Sequence, residues 1–360
     1  MGVRGAAAKS RLPVTTVPHQ GLTESVAAAD AALMALDPDL RARLRLPAAC
    51  APMTRVSGPE LVAAACGAGL MAGLPRHNAR DDSEFEAWLR VIRGALDRHR
   101  DSHPDAVIGP LAVNLATALS PEDSKQALGL CRQYGAEIII TARGDPAELA
   151  KRVHDWGGRI YHDVTRMRFV EKALEAGVDG MTCIVAGGGG HSGLLSPFAF
   201  VPRVRAMFDG TILLAGGVTT GSDIRIAELL GADLAYLGTR FIATREARAD
   251  PVYKRMLVEG GAEDLLFSAR ISGVAANWLK ESLIAHNLDP AELPISAGQG
   301  RYDHLPQGVR PWRDLWSAGQ GIEMIDDIPA VGDLVERLAA EYEAACALPP
   351  FRGGEVRGPR

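Results

Sequence analysis

A chain of 360 residues with 47% hydrophobic and 23% charged composition is ordinary globular material, enough for one large barrel plus additions. The net charge of −5, with arginines interspersed among acids, gives no field for holding a phosphate backbone, and no apolar run nears the roughly 18 residues that span a bilayer, so neither nucleic acid nor membrane is an expected partner. Five scattered cysteines without a C-x-x-C pair or His/Cys ligand spacing argue against structural zinc and a disulfide framework; with no export signal after Arg4, Lys9 and Arg11, a cytoplasmic protein without a bound metal is expected.

Residues 1–38, rich in Ala, Thr, Ser and Pro, read as a flexible extension in which Ser25 to Leu36 could form a short alanine-faced helix. Organisation begins at Asp39, where Asp39 to Leu44 could make a turn of helix leading into a strand. Eight short apolar runs follow: Leu46 to Met53, Leu70 to Leu74, Leu111 to Leu115, Glu137 to Thr141, Arg159 to Val164, Gly180 to Val185, Thr211 to Ala215 and Leu234 to Gly238. Runs such as Ile138-Ile139-Ile140 and Ile212-Leu213-Leu214 lack inside/outside alternation, as expected of parallel strands covered on both faces. Between them, helical patterns start at signals such as the capping-box spacing Ser57-Gly58-Pro59-Glu60 and stop at Gly135, Gly177 and Gly231, each placed to reverse the chain in a left-handed turn. Eight β/α alternations in about 200 residues point to a (β/α)₈ TIM barrel, over residues 39–347, rather than to an open doubly wound sheet. Residues 250–320, with Trp278, Trp312 and Trp316, read as a C-terminal helical cap insertion. An amphipathic helix from Val331 to Cys346 closes the barrel, and residues 348–360 read as a disordered tail.

Chemistry is expected where loops leave the C-terminal ends of the strands. Gly187-Gly188-Gly189-Gly190-His191-Ser192-Gly193 follows the sixth run, and its glycines would let a flat ring system approach the backbone. His191 beside them is a natural base for carbon-acid chemistry, against the alternative of an incidental histidine in a loose loop. Ala215-Gly216-Gly217-Val218 and Leu237-Gly238-Thr239-Arg240-Phe241 follow the seventh and eighth runs, the usual place of a barrel's phosphate site. Thr239 can add a hydroxyl donor, and Arg240 either helps or forms a surface ion pair. Asn114 could bond a ring or ribityl oxygen or tie down a loop. Pro52 and Met53 would place backbone and a thioether near the mouth. His162 and Asp163 could touch a polar cofactor edge or form a satisfied buried pair. Cys183 reads as core, and His99, His103 and His304 as surface residues.

Ala51-Pro52-Met53, Val113-Asn114-Leu115, the Gly-Gly-His-x-Gly segment at Gly189 to Gly193, Ala215-Gly216-Gly217 and Gly238-Thr239-Arg240-Phe241 together resemble the nitronate monooxygenase family, formerly called 2-nitropropane dioxygenases. The resemblance runs from about Asp39 to Ala345 and includes Ser272 to Leu279 and Trp316 to Gly321. It implies FMN, no metal, and oxidation of a nitronate by O2 to a carbonyl compound and nitrite, the substrate being an alkyl nitronate, propionate 3-nitronate, a nitroalkane or a related carbon acid. By position it makes His191 the active-site histidine and places Asn114, Gly189 and Gly190 against FMN. Gly216, Gly217 and the stretch Tyr236, Leu237, Gly238 and Thr239 would grip its phosphate. Two positions depart from the pattern: Ile184 and Gly187 stand where many members have Gln and Glu. The rival reading is an FMN-dependent NAD(P)H enoyl-thioester or quinone reductase; other rivals are a flavin-free barrel enzyme for a phosphorylated metabolite and a non-catalytic flavin-binding protein. A homodimer is compatible with the chain.

Overall fold

A computed structural model describes residues 35–296, 298 and 300–349, so most of the N-terminal extension and of the tail lies outside the described residues. Eight parallel strands form a closed barrel in sequence order: β1 (Ala48–Cys50), β2 (Met71–Pro75), β3 (Leu111–Ala116), β4 (Ile138–Ala142), β5 (Arg159–Val164), β6 (Gly180–Ile184), β7 (Thr211–Ala215) and β8 (Leu234–Leu237). Closure comes from β1 pairing with β8 through Ala49 opposite Tyr236. This is the expected TIM barrel.

The strands carry no hydrophobic alternation because both faces are buried, in different cores. Ile138, Ile140, Tyr161, Leu213, Leu234 and Tyr236 fill the barrel interior, while Ile139, Ile160, Cys183, Ile212, Leu214 and Leu237 point outward into the layer shared with the helices. The bottom of the barrel is closed by Leu40, which lies on the short helix Pro38–Ala42 and joins the interior cluster. The stop signals at Gly135, Gly177 and Gly231 work as expected, with φ of 71°, 70° and 96°. One start signal does not. The helix Pro59–Gly67 has Gly58 as its cap residue and so no side-chain cap bond; Ser57, one residue earlier, accepts from the Met53 amide at 2.9 Å instead.

Beyond β8, β9 (Leu265–Ser268) and β10 (Ala276–Leu279) form an antiparallel pair over a separate small core containing Trp278, Leu283 and Leu315. The cap is therefore as much hairpin and loop as helix. The last helix, Val331–Cys346, returns to the barrel and packs against the helix Gly221–Leu229, where Glu341 accepts the Gly221 amide at 2.7 Å. The five cysteines are unpaired, and burial pushes the Cys183 thiol up to about 12, in keeping with a core residue.

Candidate active site

A cavity of about 440 Å³ opens at the C-terminal ends of the strands, beneath the cap. Its walls begin with local devices. At the end of β1, Met53 is held by two neighbours: Ser57 takes its amide, and the Asn78 side chain donates to its carbonyl at 2.9 Å. That fixes Pro52 and Met53 in the cavity wall. At the end of β3, Asn114 donates to the Ile140 carbonyl at 3.3 Å, which holds its side chain in the wall with the amide oxygen uncommitted.

The glycine-rich loop after β6 is closed by its own backbone. Ala186 donates to Leu195 O at 2.9 Å and Gly193 to Val185 O at 3.2 Å; a Cβ on Gly193 would lie 2.1 Å from Ile184 O, so only glycine permits this return. The cap then grips the outside of the loop. Asn277 donates its side-chain amide to Gly188 O at 2.6 Å and its backbone amide to Gly189 O at 3.1 Å, and Gln320 N donates to Gly187 O at 2.8 Å. With the loop's carbonyls taken, the amides of Gly188, Gly189 and Gly190 still have no acceptor among the described residues. A Cβ on Gly190 would meet nothing within 4 Å: at that glycine the loop faces open space.

His191 lines the cavity with its Nε2 enclosed and unpartnered, and its ring lies 5.2 Å from that of Trp312. Burial, with a smaller push from the Arg143 cation, lowers its pKa to about 4, so the imidazole is neutral at physiological pH. Arg143 stands in the same wall with a left-handed backbone (φ 61°), its carbonyl held by the Thr117 hydroxyl at 2.9 Å, and it forms no ion pair among the described residues.

Across the cavity, the turns after β7 and β8 present uncommitted amides at Gly216, Gly217, Val218, Gly238 and Thr239. Gly216 and Gly217 take φ of 139° and 73°, which an L side chain would resist, and a Cβ on Gly217 would project into open space. Thr239 accepts from the Gly319 amide at 2.8 Å, so its own hydroxyl proton is free to donate into the cavity. Convergent amides with one hydroxyl donor are what an anionic oxygen cluster requires.

A family model described as nitronate monooxygenase matches residues 81–341. The chain belongs to the nitronate monooxygenase family. A nitronate monooxygenase of Paraburkholderia phytofirmans is 28% identical over 348 residues, covering 81% of this chain and 91% of its own length. Among solved structures, the nitroalkane oxidase of Streptomyces ansochromogenes superposes with a TM-score of 0.67 at 22% identity, covering 86% of this chain and 98% of that one. FabK from Thermotoga maritima gives 0.64 at 21%, covering 86% and 96%. Membership in the nitronate monooxygenase family makes the protein a flavin-dependent oxidoreductase. The cavity fits such a group: glycine faces without side chains for a flat ring, and free amides for a terminal phosphate.

Pro52, Met53, Asn114, Gly189, Gly190, His191, Gly216, Gly217, Tyr236, Gly238 and Thr239 all line this one cavity. Two expected residues do not. His162 faces the outer layer, where its Nδ1 meets the Thr141 hydroxyl at 2.8 Å; strand parity gives the cavity to Asp163 instead. Leu237 likewise points outward, its carbonyl accepting the Ala51 amide at 2.9 Å. Tyr236 lies in the barrel interior with its hydroxyl enclosed and, among the described residues, unpartnered, rather than beside the uncommitted amides after β7 and β8. Arg240 is neither a phosphate ligand nor a surface group: it is 3% exposed and pairs with Asp327 at 2.6 Å. His304, expected at the surface, has both ring nitrogens enclosed. Sequence reading missed Arg143, Asn277 and Trp312, whose parts depend on contacts far along the chain; only the left-handed Arg143-Gly144 turn left a local mark, in its glycine.

Proposed function

We propose that this protein is an FMN-dependent nitronate monooxygenase that takes a preformed nitronate anion, rather than the neutral nitroalkane, and converts it with O2 to a carbonyl compound and nitrite. The reading rests on one observation: a neutral, largely buried histidine with an enclosed and unpartnered Nε2 stands in a cavity whose rim carries the Arg143 cation. An imidazole whose conjugate acid is this strong an acid is a weak base, poorly matched to removing a carbon-bound proton. It is well suited to another task, holding an anion through a neutral N–H. Arg143, exposed at the rim, adds a solvent-screened attraction for the same charge.

The flavin, when bound, supplies the electron transfer between nitronate and oxygen. The chain's own residues do the rest. The amides after β7 and β8 and the Thr239 hydroxyl would hold the FMN phosphate, and Gly189 and Gly190 would let the ring lie against the backbone. His191 would orient the nitronate, and Trp312 would fix the imidazole plane and exclude water. The Ile184 and Gly187 departures fit this division of work: Ile184 makes its part of the wall apolar, and Gly187, at φ 92°, serves the cap by offering its carbonyl to Gln320.

The test is nitrite release and O2 uptake by FMN-loaded protein given an alkyl nitronate or propionate 3-nitronate, beside the parent nitroalkane. Turnover restricted to the nitronates supports the proposal. Equal turnover of the nitroalkane would remove the anion preference, and no turnover with rapid anaerobic bleaching by NADH or NADPH would replace the reading with a reductase.

A further inference from the structure

The phosphate amides, the glycine faces and His191 account for the upper wall of the cavity, but its floor carries groups they leave unused. Asp163 at the end of β5 turns into the cavity, and its register partner on β6 is Thr182, which shares the barrel interior. Tyr236, on β8, reaches the same layer from across the barrel. Asp163 Oδ1, Thr182 Oγ1 and Tyr236 Oη are all enclosed, and none makes a well-formed hydrogen bond among the described residues, although the Thr182 hydroxyl lies near enough to Asp163 to act on its carboxyl. Leaving three buried polar atoms unpaired costs stability at each, so a layer of them beneath a ligand cavity is a layer that a ligand completes.

The neighbourhood decides what kind of group Asp163 is. From β4 the interior residues are Ile138 and Ile140, from β6 Thr182 and Ile184, from β7 Leu213 and Ala215, and from β8 Tyr236, with Cys50 of β1 acting on Tyr236 from behind. Besides Tyr236, the other charged or titratable groups lining the cavity are Arg143, His77, His191 and Tyr253, and none of these acts on Asp163; burial drives its carboxyl up to about 7 against a smaller pull from the Thr182 hydroxyl. A carboxyl with no cation beside it in an apolar barrel keeps its proton up to about neutral pH, and below that it is a donor.

Resting on the flavin reading of this cavity, we propose that Asp163 is its proton-bearing floor: a neutral carboxylic acid, backed by Tyr236 and Thr182, that donates a hydrogen bond to a carbonyl oxygen of the ring system held above it. Ionisation of Asp163 converts that donor into an acceptor facing an acceptor. Flavin affinity is thereby tied to the protonation of one residue that takes no part in gripping the phosphate.

The experiment strips the protein of flavin and measures the FMN dissociation constant from pH 6 to pH 8.5 for wild type and Asp163→Asn, which keeps a donor but cannot ionise. The phosphate of FMN titrates near pH 6 and does so equally in both, so the ratio of the two constants isolates the floor. Near-equal affinity at pH 6 and about tenfold weaker binding by wild type than by the variant at pH 8.5 is the expected result; a ratio that does not change with pH overturns it. Should the variant fail to fold, calorimetry of FMN binding to wild type at pH 8, in buffers of different ionisation enthalpy, decides: uptake approaching one proton supports the proposal and no uptake overturns it. Wild type that binds no FMN even at pH 6 would instead sink the flavin reading itself.

Discussion

His191 sits at the meeting point of three separate influences: the glycine loop that carries it, Trp312 at 5.2 Å, and the Arg143 cation that helps keep it neutral. Its replacement by Ala leaves the loop's backbone bonds intact, because the residue's own anchoring is through backbone pairing with Ala276. We expect His191→Ala to fold with an unchanged unfolding midpoint and an undiminished flavin spectrum, while kcat/KM for a nitronate falls by about 10²–10³, as for loss of one preorganised donor to an anion; full turnover would mean that the imidazole does not handle substrate. His162 is a histidine of similar pKa and opposite purpose. Burial lowers it from its usual value near 6.5 to about 4, so in the folded chain it stays neutral while the unfolded chain takes up a proton. Stability contributed at neutral pH is therefore lost as pH falls from about 6.5 towards 4, a change on the order of 3 kcal/mol for this buried ring. Comparing urea unfolding of wild type and His162→Asn at pH 7 and pH 4.5 reads it directly: the wild type should lose more, and equal losses would show that His162 is not the group responsible.

At the scale of elements, the barrel was legible because its physics is periodic. A strand buried on both faces has to be apolar throughout, a helix ending in a left-handed turn calls for glycine, and the repetition of the two over β1 to β8 leaves few folds to choose from. What one strand does with two adjacent polar residues was not legible. His162 and Asp163 alternate in direction, and nothing local in Arg159–Val164 states which parity faces the barrel axis; only closure of the sheet and the pairing of Asp163 with Thr182 set it. The Ser57–Glu60 spacing misled for a related reason: Pro59 opens the helix, which makes Gly58 the cap residue, and Ser57, one residue too early, turns its hydroxyl to the Met53 amide instead. The glycine loop offers a clean test of its inferred purpose. Gly190→Val adds a branched side chain where an added Cβ meets nothing within 4 Å and where no positive φ is required. Folding should be unaffected, to within about 0.5 kcal/mol as for surface substitutions. The added side chain would stand where the ring is inferred to lie, so FMN affinity should drop more than tenfold by fluorescence titration; unaltered affinity would place the ring elsewhere.

For the whole molecule, the question is what joins cavity to scaffold. The cap reaches the glycine loop through Asn277 and Gln320, and the segment that carries Gln320 continues directly into the closing helix Val331–Cys346. That helix packs on Gly221–Leu229, the helix that follows the Gly216-Gly217 turn. Cap, the Gly216-Gly217 turn and the closing helix thus form one mechanical unit, though its parts are spread along the chain from Gly216 to Cys346. Leu338 lies near its centre, 1% exposed, with its carbonyl so close to Gly221 that a Cβ there would stand 2.2 Å away. Removing this side chain leaves a cavity that the barrel cannot collapse to fill, since Gly221 already fixes the approach of the two helices. Leu338→Ala should cost about 2–5 kcal/mol in denaturant unfolding. The loss should also be felt at a distance: if the site takes FMN, the variant's midpoint should rise less with added FMN than the wild type's, because stabilisation grows with the logarithm of concentration over the dissociation constant and a loosened site raises that constant. A variant destabilised to that extent whose midpoint rises with added FMN as steeply as the wild type's would show that the closing helix supports the barrel without supporting the cofactor site.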